Sequence, residues 1–247
     1  MVDLLRIAIP VADLCDEPGG KRTRQFLFGE GFEVTEDLVD HVRGHRATDG
    51  YMGVLPKSAL ANWADPSHRI RDLGAHVYEA PDIKSKVLLH LPYQSVLTVI
   101  DETDDFVEIA GGGFVHQMQI EIIALREQDY TRTAERYLGV PYLWGGNSQY
   151  GIDCSGLVAA ALRSAGLPHP ADSKDQEAEL GQKLADDTPL TRGDLIFWKG
   201  HVGIMLNEDL LLHANGYHMK CVFEPLAEAA TRIAAQGGGM ITARKRL

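Results

Sequence analysis

Cysteine is scarce in this chain, with residues only at positions 15, 154 and 221 of 247. An odd, widely spaced trio makes neither a disulfide framework nor a metal knuckle, and it fits a reducing compartment. No apolar run approaches the roughly 20 residues a membrane helix needs. The opening Met1-Val2-Asp3-Leu4-Leu5-Arg6 carries an early acid and lacks the basic start, apolar stretch and small-residue cleavage site of a secretory signal. A cytoplasmic protein is therefore expected. Positive charge is also short: 24 Lys and Arg against 35 Asp and Glu leave a formal charge of −11, with no basic stripe. This argues against nucleic acid and membrane as partners and favours a cationic or amine-bearing ligand. Low-complexity tracts and motif repeats are missing as well, which excludes disordered and solenoid classes.

What is present is an ordinary globular composition, 45% hydrophobic and 24% charged, over a length that suits two or three domains. Residues 1–73 contain short strand-like pieces such as Phe26-Leu27-Phe28, Gly31-Phe32-Glu33-Val34 and Tyr51-Met52-Gly53-Val54-Leu55, separated by Gly, Asp and Pro turns. They predict a small, bent sheet. Residues 74–125 repeat that style, with Val87 to Leu91, Ser95 to Ile100 and Phe106 to Ile109 as strands. Gly111-Gly112-Gly113 joins two strand-like runs and predicts a turn or bulge, since a phosphate loop would join a strand to a helix. From 126 onward the pattern shifts to helices and then strands, which predicts an α+β domain over 126–247. A helix is expected over Asp129 to Leu138.

The densest chemistry surrounds Asp153-Cys154-Ser155-Gly156. The run from Ser155 to Ala165 has helical periodicity and ends at Gly166, so Cys154 is expected at a helix N-terminus, where peptide dipoles and free N–H groups favour a thiolate. The alternative is an inert, buried cysteine. A thiol nucleophile needs an imidazole to take and return its proton, and a third group to orient that ring. His201, opening a strand after Lys199-Gly200, is the candidate base. His213 lies 12 residues on, across an expected hairpin at Asn207-Glu208-Asp209, and an even separation allows the same sheet face. Each histidine has a structural alternative. Metal binding by His213 and His218 is set aside because no third ligand sits at a familiar spacing.

Pro141 to Gly146, Asp153 to Leu157, Arg192 to Phe197, His201 to Ile204 and Leu212-His213-Ala214 together resemble the NlpC/p60 family of papain-like cysteine peptidases. The two preceding segments resemble bacterial SH3-like domains, the first through Val11 to Leu14, Leu27 to Glu30 and Asp49 to Gly53. The resemblance implies a papain-like peptidase domain preceded by two small all-β SH3-like barrels. It also implies Cys154 as nucleophile, His201 as base and then acid, and His213 as orienting residue, with no metal or cofactor. The layout is similar to the subgroup that cleaves the γ-D-glutamyl-diamino acid bond of free murein peptides beginning with L-alanine. Hydrolysis of intact peptidoglycan and non-catalytic murein-peptide binding are the alternatives.

Selecting a free N-terminus calls for a carboxylate facing an ammonium. Asp153 is the candidate, with a plain helix cap as its alternative. The resemblance places Glu30, Tyr51, Tyr142, Ser155 and Ser173 with it as substrate contacts, and Ser173 reads equally as a cap. Trp144 is expected to pack, and Cys221 to be buried. Cys15 and Met52 depart from the family's pattern without touching the three catalytic candidates.

Overall fold

The structure is a computed structural model that describes residues 3–247; Met1 and Val2 of the opening stretch lie outside the described residues. The chain divides at Leu125/Arg126 into two compact units.

The first unit is built from antiparallel strands. Seven of them form one sheet in the order Arg22–Leu27, Val11–Cys15, Met52–Pro56, His41–Arg46, Gly31–Asp37, Asp3–Ile7 and Leu60–Asn62. Alternating apolar positions gather Ile7, Leu14, Phe26, Phe32 and Leu55 into a core, each worth roughly 1.5–3 kcal/mol on burial. Phe26 and Phe32 meet edge to face with centroids 6.0 Å apart. Five-stranded and three-stranded sheets follow, closing over Ile70, Val77, Leu91, Leu97, Ile109 and Val115. Gly111-Gly112-Gly113 is the turn between Phe106–Ile109 and Phe114–His116.

The changeover between the two β assemblies lies earlier than the expected 73/74 division. Strand His68–Ile70 pairs with Val96–Leu97 and Ile120–Ile122, and Ile70 is buried in the second core. Asp72 and Leu73 form a bend inside the second assembly, just before strand Gly74–Tyr78. Phe28 crosses the changeover too, since its side chain joins the second core while its neighbour Leu27 ends a strand of the first sheet.

The second unit places helix Cys154–Ala165 against a six-stranded antiparallel sheet ordered Gln182–Lys183, Ala243–Arg246, Leu195–Trp198, His201–Met205, Leu210–Asn215 and Lys220–Pro225. Every residue of this helix except Arg163 and Ala165 is buried. The helix is enclosed all round because strands cover one side and helix Tyr130–Glu135 the other. Small Ala159, Ala160 and Ala161 permit the close approach, and the Thr133 hydroxyl meets Ser164 Oγ at 2.9 Å. Helix Tyr130–Glu135 is shorter than expected, starting at the Asp129 cap and giving way to turns before Gly139.

The Arg192-Gly193-Asp194 motif locks this unit together. Arg192 bonds Asp129 and Glu135, Tyr130 donates to the Gly193 carbonyl, and buried Asp194 takes a bidentate pair from Arg246 at 2.7 Å.

Candidate active site

Asp153 caps the Cys154 helix from an extended backbone conformation. Its Oδ1 accepts from the Gly156 N–H at 2.6 Å and the Ser155 hydroxyl at 3.0 Å, and its Oδ2 from the Gly145 N–H at 2.8 Å. The capping alternative is thus realised in the fold. Cys154 follows as the first helical residue, 7% exposed, where the helix dipole favours negative charge on sulfur. Half-buried Tyr142 lies alongside: burial first, then the proximity of Cys154 and Asp153, raises its phenol well above the ordinary range, so it is a neutral hydroxyl. Ser173 is the half-buried first residue of helix Ser173–Glu179, whose cap position is held by Asp172.

On the facing strands, His201 Nε2 lies 2.9 Å from His213 Nδ1, and His213 Nε2 lies 2.9 Å from Glu224 Oε2. The turn between the histidine strands is set by Asn207, whose Oδ1 accepts from the Asp209 and Leu210 N–H groups. Continued one step beyond Ile204↔Leu212, the strand register puts Gly203 across from His213. A Cβ at Gly203 would stand 3.1 Å from His213 Cβ and 2.7 Å from Leu211 Cδ1, so glycine leaves the imidazole its room.

The Glu224 carboxylate fixes the tautomers of both rings. Burial opposes its ionisation, but bonds from Arg232 and the neighbouring His213 outweigh that and hold its pKa below the usual carboxylate range. An ionised carboxylate only accepts, so His213 donates from Nε2 and keeps its lone pair on Nδ1. His201 must then donate from Nε2, which leaves its own Nδ1 unprotonated. Burial, reinforced by His213 and Arg232, lowers the His201 pKa far below the imidazole range; burial does the same to His213 against the pull of Glu224. Both rings are neutral at pH 7.

Residues 139–232 match the NlpC/P60 family model. Residues 139–232 of the second unit are an NlpC/P60 domain. The chain is 29% identical over 232 residues to dipeptidyl-peptidase 6 of Lysinibacillus sphaericus, covering 83% of this chain and 85% of that protein. It is also 29% identical over 216 residues to the γ-D-glutamyl-L-lysine dipeptidyl-peptidase of Bacillus subtilis strain 168, covering 77% and 71%. A solved NlpC/P60 family protein from Bacillus cereus ATCC 10987 shares the fold with a TM-score of 0.81 over 99% of both chains at 20% identity. The NlpC/P60 domain makes this protein a cysteine peptidase of papain-like, α+β fold.

Three residues of the NlpC/P60 domain escaped the sequence reading. Glu224 sits on the strand after His213; with His213 paired to Val222, it occupies the diagonal position within reach. Arg232, one helix further, forks Glu224 through Nε at 2.9 Å and Nη2 at 2.6 Å. Gln176 is fully buried and donates to the carbonyls of Ser155 and Pro170, both at 2.9 Å, tying its helix to the first turn of the Cys154 helix. Only Glu224 had a legible signal, an acid two residues along an expected strand.

Trp144 does not pack as expected and is 66% exposed. The Gly146 N–H bonds the Leu143 carbonyl, making Trp144 and Gly145 the centre of a tight turn, and Gly145 takes φ 71°. Cys221 is fully buried, and desolvation pushes its thiol up to about 12. His213, His218 and Glu224 bring potential ligand atoms within 4.8 Å, but the first and last are engaged with each other and with Arg232. In the first unit, Glu30 accepts from the Leu27 N–H at 2.9 Å and lies 3.9 Å from buried Arg46, while Arg24 lies over the Tyr51 ring at 5.7 Å.

Proposed function

We propose that this protein cleaves the γ-D-glutamyl bond to a diamino acid in free murein peptides that begin with L-alanine. The observation that carries the chemistry is the hydrogen-bonded His201–His213 pair on strands packed against the Cys154 helix. The relatives named for dipeptidyl-peptidase activity support the bond chosen.

In this reading His201 Nδ1 takes the Cys154 thiol proton as sulfur attacks the γ-carbonyl carbon. The tetrahedral oxyanion is met by the Cys154 backbone N–H at the helix N-terminus. Collapse breaks the C–N bond, with His201 returning its proton to the departing amine. Water, deprotonated by the same ring, then adds to the thioester, and L-Ala-D-Glu leaves as sulfur regains its proton. Asp153 supplies the negative charge opposite the L-alanine ammonium, with the Tyr142, Ser155 and Ser173 hydroxyls lining that end. The same reading places the work in the cytoplasm, on released peptides, which cell fractionation tests directly.

Purified protein is expected to split L-Ala-γ-D-Glu-L-Lys, or its diaminopimelate counterpart, into L-Ala-D-Glu and the diamino acid. Acetylating the L-alanine nitrogen should abolish cleavage. Equal turnover of free and acetylated peptides would remove the ammonium requirement, and no turnover of either would remove the proposal.

A further inference from the structure

A cavity of about 260 Å³ opens beside the proposed base, walled by His201, Asn215, Tyr217, Arg232, Ile233 and Gln236. Asn215 ends strand Leu210–Asn215 two residues beyond His213, hence on the same sheet face, and is 6% exposed. Its Oδ1 faces His218, accepting from the backbone N–H at 2.8 Å and lying 3.1 Å from ring Nδ1. That fixes which end of the amide is which. The other end, Nδ2, is buried and has no hydrogen-bond partner. Leaving a buried donor unmade costs about 1–3 kcal/mol, so a donor held this way in a cavity wall points to an acceptor that arrives with a ligand.

The second polar wall is Arg232. Its Nε and Nη2 are committed to Glu224, whereas Nη1 has only a 3.4 Å contact with Gln236 Oε1. The guanidinium is held over the Tyr217 ring, 4.6 Å from the centroid. A fixed amide donor and a weakly engaged guanidinium N–H together suit a carboxylate.

Position then identifies the carboxylate. A general acid must face the nitrogen it protonates, so a cavity with His201 in its wall lies on the leaving-group side of the scissile bond. We infer that this cavity is the subsite for the departing diamino acid, with Asn215 Nδ2 and Arg232 Nη1 holding its carboxylate. The inference rests on the γ-glutamyl peptidase reading above.

The test compares L-Ala-γ-D-Glu-L-Lys with the same peptide ending in lysinamide. The wild-type enzyme should favour the free carboxylate by roughly 10- to 100-fold in kcat/KM, the range for a charge-assisted hydrogen bond. Asn215→Asp keeps the oxygen that faces His218 but replaces the donor with an acceptor. It should lose at least about tenfold on the free acid and little on the amide, the discrimination expected when a buried donor is swapped for an anion. Equal kcat/KM for the two peptides in the wild type would overturn the subsite while leaving the peptidase reading intact, and this comparison needs no variant to fold. Equal losses on both peptides in a variant with unchanged melting temperature would also overturn it. Cleavage of neither peptide by the wild type would sink the peptidase reading and the subsite with it.

Discussion

His213 Nε2 and Glu224 Oε2 lie 2.9 Å apart, and this contact reaches the proposed base through one intervening ring. The carboxylate sets the His213 proton on Nε2, and His213 in turn sets the His201 proton on Nε2, so an acid two rings away leaves His201 Nδ1 free for the thiol.

Glu224→Gln should therefore lower kcat roughly 10- to 100-fold with little change in KM, because the amide can donate as well as accept and no longer imposes one tautomer. Steady-state kinetics with the tripeptide and its pH profile check this. A purely structural role would lower the melting temperature, through the unpaired Arg232, without moving kcat or the acidic limb of the profile.

Cys154→Ala should abolish turnover while leaving tripeptide binding measurable by calorimetry. In the wild type, iodoacetamide mapped by mass spectrometry should modify Cys154 in step with loss of activity. Cys221 should stay unmodified, since it is fully buried and its thiol is pushed up to about 12 by desolvation.

The Cys154 helix, the histidine strands and their hairpin were legible in sequence because each rests on local signals: a cap, a helical period ending at Gly166, and an even spacing across Asn207. Glu224 and Arg232 depend instead on a strand register and on the helix after it, which no local pattern specifies. Phe28 shows the same limit, since its side chain serves a different core from its neighbours. Trp144 departs from the expected packing because the tight turn closed at Gly146 throws it outward.

Gly203→Ala should reveal how tightly the histidine pair is packed. The new methyl would stand 2.7 Å from Leu211 Cδ1 and 3.1 Å from His213 Cβ, and something must shift. A loss of about 1–3 kcal/mol in urea unfolding is expected, the usual cost of overpacking, together with a fall in kcat as His213 moves off His201. Unchanged kcat with reduced stability would show that Leu211 alone absorbs the strain.

Stability should fall as pH drops below the ordinary imidazole range. His201 and His213 have folded pKa values below the ordinary imidazole value of 6.5, so between the folded and unfolded values the unfolded chain binds more protons. Stability then rises with pH in that window and is lost as pH falls through it, by at most about 1.4 kcal/mol per pH unit for each proton taken up. Urea unfolding at pH 7.5 and 5.5 should show this slope, and His213→Gln should flatten it.

Asp153→Asn separates the two roles of the residue that caps the Cys154 helix. The carboxylate takes the N–H groups of Gly145 and Gly156 and the Ser155 hydroxyl. An amide keeps one acceptor oxygen and turns the other end into a donor facing an N–H, so a loss of about 1–2 kcal/mol in stability is expected from the cap alone. Removing the charge has a distinct signature. If Asp153 also meets the L-alanine ammonium, the variant should raise KM for the free tripeptide by roughly 10-fold or more while narrowing the gap between free and acetylated peptides. If it only caps, kcat and KM should shift alike for any peptide the enzyme accepts, and selectivity for the free amine should survive. The ratio of kcat/KM for the free and acetylated substrates, measured in a variant shown to be folded at the assay temperature, decides between them.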